Sequence, residues 1–69
     1  MTPAQIRAAR LRLGLTQAQM AGLLETAPRH YRSFESDPAT STHREPPPRA
    51  VQLIQAYLDG FRPDAWPIT

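Results

Sequence analysis

The 69 residues contain no cysteine and no lysine, only three glycines, and no apolar run approaching a membrane span. Without cysteine there is no disulfide framework and no thiolate metal site. A bilayer-crossing helix needs roughly 20 apolar residues, so none is expected. The opening Met-Thr-Pro-Ala-Gln lacks the basic flank and apolar stretch of a signal peptide, and a cytoplasmic location is expected. At this size folding buries only about 60% of the unfolded chain's surface, which leaves a lone core marginal. Stability must then come from tight helix packing or from a partner chain. A deep pocket ringed by catalytic groups is hard to build on this scale. No nucleophile–base pair or carboxylate pair occurs at useful spacing, so the chain is not expected to be an enzyme. No cofactor or small-molecule ligand is expected, and His30 and His43 lack the companions of a metal site.

Present instead are eight arginines against six acids, a formal net charge of +2, and eight prolines. Arginine's planar fork suits phosphate and base edges, although GC-rich coding would give the same bias. The high isoelectric point permits nucleic-acid binding without requiring it.

Periodicity and capping signals predict an all-α, compact bundle of four to five short helices. Thr2, Pro3 and Gln5 make a helix start with a capping box, followed by Ile6, Ala9, Arg10 and Leu13 on one face and Gly14 as a stop. Thr16 and Gln19 form a second capping box. Met20, Ala21 and Leu24 make the inward stripe of that helix, widened by Leu23, while Gly22 sits mid-helix at some cost. Thr26 is expected to cap the third helix, with Pro28 in its first turn. There Ala27, Tyr31, Phe34 and Glu35 share one side; Arg29, His30, Ser33 and Ser36 point elsewhere, with Arg32 at the margin. Residues 38–46 read as an exposed loop that includes His43. Pro48 can start a fourth helix that Gly60 ends. Its two apolar stripes, Val51/Ile54/Leu58 and Ala50/Leu53/Tyr57, call for a second neighbour. Residues 1–60 are thus expected to form the domain, with 61–69 a tail packing on the fourth helix or on a partner.

Two short helices joined by a tight turn, the second polar and basic outside, make a helix-turn-helix. An exposed helix fits the major groove of B-DNA and reads base edges with its N-terminal side chains. Arg29 and Ser33 lie four apart on one face, flanked by His30 and Arg32. Thr16 and Gln17, at the start of the preceding helix, offer N–H groups and an amide to a phosphate. Arg49 opens the fourth helix, where its charge opposes the helix dipole, so a phosphate or partner role is expected. Arg7 and Arg12 are expected only to solubilise.

Leu15-Thr16-Gln17, Met20-Ala21, Leu23-Leu24 and Phe34-Glu35 together resemble the Cro and phage-repressor (XRE-like) helix-turn-helix family, over roughly residues 4–58. The resemblance implies a lambda-repressor-like DNA-binding domain with a structural ion pair between Arg10 and Glu35. By the same resemblance Gln17 would touch phosphate or orient a recognition side chain. Arg29, His30 and Ser33 would meet bases, and Arg44 would grip the backbone. Departures from the family lie at Glu25-Thr26-Ala27, where glycine, an aliphatic residue and serine are usual, at Tyr31, and in the long 36–46 loop. The implied function is a homodimeric repressor, an autorepressor of a phage or mobile-element operon, occupying a palindromic double-stranded operator. Leu53, Tyr57, Phe61 and Trp66 are candidates for the dimer seam. The composition is also similar to anti-CRISPR-associated repressors. An antitoxin and a protein-interaction module that has lost DNA binding are the alternatives.

Overall fold

Each of the first two helices starts on a reciprocal pair of hydrogen bonds that the sequence spells out. In the computed structural model, which describes residues 1–67, Thr2 Oγ1 accepts from Gln5 N at 3.2 Å while Thr2 N donates to Gln5 Oε1 at 2.9 Å. Thr16 and Gln19 repeat the arrangement at 3.1 and 2.9 Å. The elements are α1 (Pro3–Arg12), α2 (Gln17–Leu23), α3 (Pro28–Glu35) and α4 (Pro48–Leu58). No strand occurs among the described residues, and the chain is an all-α bundle of four helices. No described helix is long and apolar enough to cross a membrane.

Three helices stop with one device. At the ends of α1, α2 and α4 the next two backbone N–H groups turn back onto the last-turn carbonyls: Gly14 to Leu11 and Leu15 to Arg10, Glu25 to Gly22 and Thr26 to Ala21, Gly60 to Tyr57 and Phe61 to Ala56, all at 2.9–3.1 Å. This double closure requires a left-handed residue. Gly14 (φ 73°) and Gly60 (φ 108°) supply it cheaply; at the end of α2 the position is filled by Glu25 at φ 55°. Thr26 therefore closes α2 and does not cap α3. The N-cap of α3 is Ala27, which has no side-chain hydrogen bond. The expected Thr26 cap does not form, because the two backbone bonds that close α2 outweigh the strain of one left-handed glutamate. Glu25→Gly should relieve that strain and raise stability by about 1 kcal/mol in urea unfolding. Mid-helix Gly22 is exposed, and a Cβ there would meet nothing within 4 Å. It is tolerated rather than required.

The core draws Ile6 and Ala9 from α1, Leu15 from the first turn, Met20 and Ala21 from α2, Tyr31 and Phe34 from α3, and Ile54 and Tyr57 from α4. Helix α3 packs on both α1 and α2, and α4 packs on α1. Ala27, expected on the inward side of α3, is exposed as its N-cap. In α4 the two expected stripes merge. The buried line is Ala50, Ile54 and Tyr57, with Val51, Leu53 and Leu58 half-buried beside it. The helix settles into a notch that buries the line between the two stripes, and the tail supplies a second neighbour at Tyr57.

Phe61, Arg62 and Trp66 of the tail pack on the end of α4. Phe61 stacks on Tyr57 with ring centroids 6.1 Å apart, and Trp66 meets Tyr57 edge-on at 5.3 Å. Arg62 lies 4.3 Å over the Trp66 ring and donates through Nη1 to the carbonyls of Tyr57 (2.7 Å) and Phe61 (2.8 Å). A cation at the last carbonyls of a helix suits its dipole. Ile68 and Thr69, the end of the expected tail, lie outside the described residues.

Candidate nucleic-acid interface

Helix α3 is amphipathic in a simple way. Pro28 takes its first position, where a missing N–H costs nothing, and Tyr31 and Phe34 turn inward with rings edge-to-face at 5.9 Å. Arg29, His30 and Arg32 are exposed on the other side. Ser33 is not. It is 9% exposed, its hydroxyl donates to the His30 carbonyl, and its own carbonyl accepts the Arg44 N–H at 3.2 Å. The cause is the long connection after α3, which folds back along the helix. Ser33 is thus more buried than spacing alone suggested, although it still borders the groove beside α3.

The end of α3 is anchored by a part-buried network. Arg10 Nε donates to Glu35 Oε2 at 2.8 Å, Nη2 to Oε1 at 3.3 Å, and Nη1 to the Leu15 carbonyl at 3.0 Å. The pair side chains are only 12% and 5% exposed. Burial alone would raise the Glu35 carboxyl, but hydrogen bonds led by that from Arg10 hold it below the usual carboxylate range. The Arg10 guanidinium is correspondingly pushed up by its hydrogen bond to Glu35. Among the described residues the buried Tyr31 hydroxyl has no hydrogen-bond partner. Burial raises its pKa.

Gln17 joins this network, its Nε2 donating to Glu35 Oε1 at 3.3 Å. Its side chain ties α2 to α3 through the ion-pair carboxylate rather than through a residue of the exposed α3 face, and leaves one amide hydrogen uncommitted. The Thr16 N–H is spent on the capping box. The first-turn amides of Gln17 and Ala18, which have no intrahelical acceptor by position, are therefore the donors α2 can offer. They border an open depression of about 800 Å³ that also receives Arg7 and Arg32. Spacing reasoning passed over Arg7; its signal was the i, i+3 relation to Arg10, which puts both on one side of α1.

The exposed face of α3 and the loop enclose a second groove of about 550 Å³. Arg29, His30, Arg32 and Arg44 line it together with Ser33, Ser36, Ser41 and Thr42, and no carboxylate of the described residues lines it. Five residues expected at the site thus converge, Ser33 from its part-buried position. Arg49 does not join them. It is exposed in the first turn of α4 and borders a smaller hollow of about 280 Å³ with Glu25 and Thr26. Glu25 shares this hollow with Ala50 and Leu53 of α4 and does not line the basic groove.

Two further expectations change. His43, expected as a solvated loop residue, has an 11% exposed side chain that bonds to Ser36 and Glu45. Of the candidate seam residues, Tyr57 is 2% exposed and belongs to its own chain's core. Leu53 and Trp66 are half-buried against that core, and Phe61 alone is open, at 53%. Comparison with protein-family models, characterised proteins and solved structures gives no match.

Proposed function

We propose that this protein binds double-stranded DNA sequence-specifically, with the N-terminal turn of α3 in the major groove, and represses transcription by occupying an operator as a homodimer. The observation that carries the reading is the groove beside α3, where three arginines and His30 converge with no carboxylate among them. Arg29 and His30, in the first turn of the helix, are the base readers. Arg32 and Arg44 serve the phosphates, assisted by the free first-turn amides of α2. Two copies would set their recognition helices about 34 Å apart, one turn of B-DNA. With Tyr57 buried, a seam on this side centres on Phe61.

Selection of duplexes from a random pool, followed by titration at several salt concentrations, tests the proposal. Each phosphate neutralised should add about 0.9 to the slope of log affinity against log salt. Arg29→Ala should cost about 1–3 kcal/mol at one base position and relax selectivity there, with helicity unchanged by circular dichroism. Unchanged selectivity would remove Arg29 from the base readers. The second reading, a protein-interaction module, draws on the exposure of Leu11 (58%) and Phe61 (53%). A flat salt response with no enriched sequence would select it.

A further inference from the structure

His43 is held between two acceptors. Its Nδ1 lies 3.1 Å from the Ser36 carbonyl oxygen, and its Nε2 lies 3.1 Å from Glu45 Oε1. A carbonyl oxygen has no proton to give, and neither has an ionised carboxylate. A neutral imidazole carries one N–H, so it can satisfy only one of the two and must turn a lone pair toward the other. Both contacts become hydrogen bonds only in the imidazolium.

The position of this residue gives the chemistry a consequence. Residues 37–42 are knit into their own turn: Asp37 Oδ1 accepts the Ala39 N–H at 2.9 Å, and the Asp37 carbonyl accepts the Thr40 N–H and hydroxyl at 2.9 and 2.8 Å. Among the described residues, the hydrogen bonds tying the loop to α3 and its C-cap are those of His43 to Ser36 and of Arg44 N to Ser33. The two are adjacent in sequence, and Arg44 lines the basic groove.

We propose that His43 is a positioning residue: in its protonated form it clamps the loop to α3 and sets Arg44 for its phosphate, so that duplex affinity rises on acidification. The inference rests on the DNA-binding reading above. The charged groups in the surroundings of His43 are Asp37, Arg44 and Glu45 on the loop and, on α3, Arg32, whose carbonyl accepts the Ser36 hydroxyl. His30 borders a hollow shared with Arg44 and Glu45 and is the other histidine to be controlled for.

Two measurements on the full chain decide the matter. In the free protein, exchange of the Arg44 amide, corrected for the intrinsic pH dependence of exchange, should be slower at pH 6 than at pH 8. The expected difference is about two- to fivefold, the scale of a partly exposed ion pair, and His43→Gln should abolish it without changing helicity. On a selected duplex at fixed salt, the wild type should lose affinity from pH 6 to pH 8 by a similar factor. His30→Gln should keep that drop, whereas His43→Gln and Arg44→Ala should each lose it. A wild-type pH profile in His43→Gln, or Arg44 protection that ignores pH, would overturn the proposal. Absence of salt-sensitive duplex binding would overturn the DNA reading and the affinity half with it, while the exchange result would still decide the clamp.

Discussion

Glu35→Ala is expected to lower the stability of the protein by about 3–5 kcal/mol, because it leaves the buried Arg10 guanidinium with only the Leu15 carbonyl. At roughly 0.05–0.15 kcal/mol per residue, a chain of this length has a total stability of only about 3–10 kcal/mol. The variant should therefore be largely unfolded or close to it at room temperature, as urea titration would show. Glu35 also holds Gln17, so its loss loosens the start of α2 as well as the end of α3. Replacing both partners with apolar residues, Arg10→Met with Glu35→Leu, should recover most of the loss, since an apolar pair leaves no buried charge. If Glu35→Ala costs less than about 1 kcal/mol, the pair behaves as a surface ion pair and does not anchor the helix.

The same pair fixes the acid limb of stability. The Glu35 carboxyl lies below its ordinary value near 4.5 in the folded protein, so at acid pH the unfolded chain binds the extra proton. Its contribution is fully present above that ordinary value and is lost as pH falls through the lowered folded one. Glu35→Gln should remove this limb, leaving a flatter stability profile below pH 4.5 than the wild type shows.

How far the sequence could be read depended on the range of each interaction. The capping boxes at Thr2–Gln5 and Thr16–Gln19, Pro28 and Pro48 at helix starts, and Gly14 and Gly60 at helix ends are all decided within four residues, and each was legible. Arg10 and Glu35 are 25 residues apart, and only their places in a family-like pattern suggested the pairing that the structure contains. Thr26 was misplaced as a cap because intrinsic preference disfavours a left-handed residue at Glu25, and preference does not count the two backbone bonds that hold it there. Ser33 was misjudged for a longer-range reason. Helical periodicity places it beside Arg29, but its exposure is set by Arg44, eleven residues on, in a loop with no period to read. The burial of His43 follows from the same fold-back. Tyr57 could not be assigned from its stripe, because what covers it is a tail whose prolines break every regular pattern.

Tyr57 gives the second large effect. Its ring lies under Phe61 and against the edge of Trp66, its carbonyl is held by Arg62, and it is 2% exposed. Truncating a buried aromatic removes its transfer energy and leaves a cavity, so Tyr57→Ala should cost about 3–5 kcal/mol. Phe61, open on its outer face, should cost about 1 kcal/mol or less when cut to alanine, the value of one aromatic stack. This contrast separates core from seam, which a charge at Tyr57 cannot do, because burying an unpaired carboxylate there would unfold the monomer before it reported on a dimer. The seam is better tested at Phe61. Phe61→Glu should leave melting nearly unchanged while shifting sedimentation toward monomer, and a dimer that persists would place the interface elsewhere. If Tyr57→Ala and Phe61→Ala cost the same small amount, the tail is not packed on α4. Tyr57 and Trp66 would then be free to meet a partner, and the apolar surface of α4 would again need a second chain to cover it.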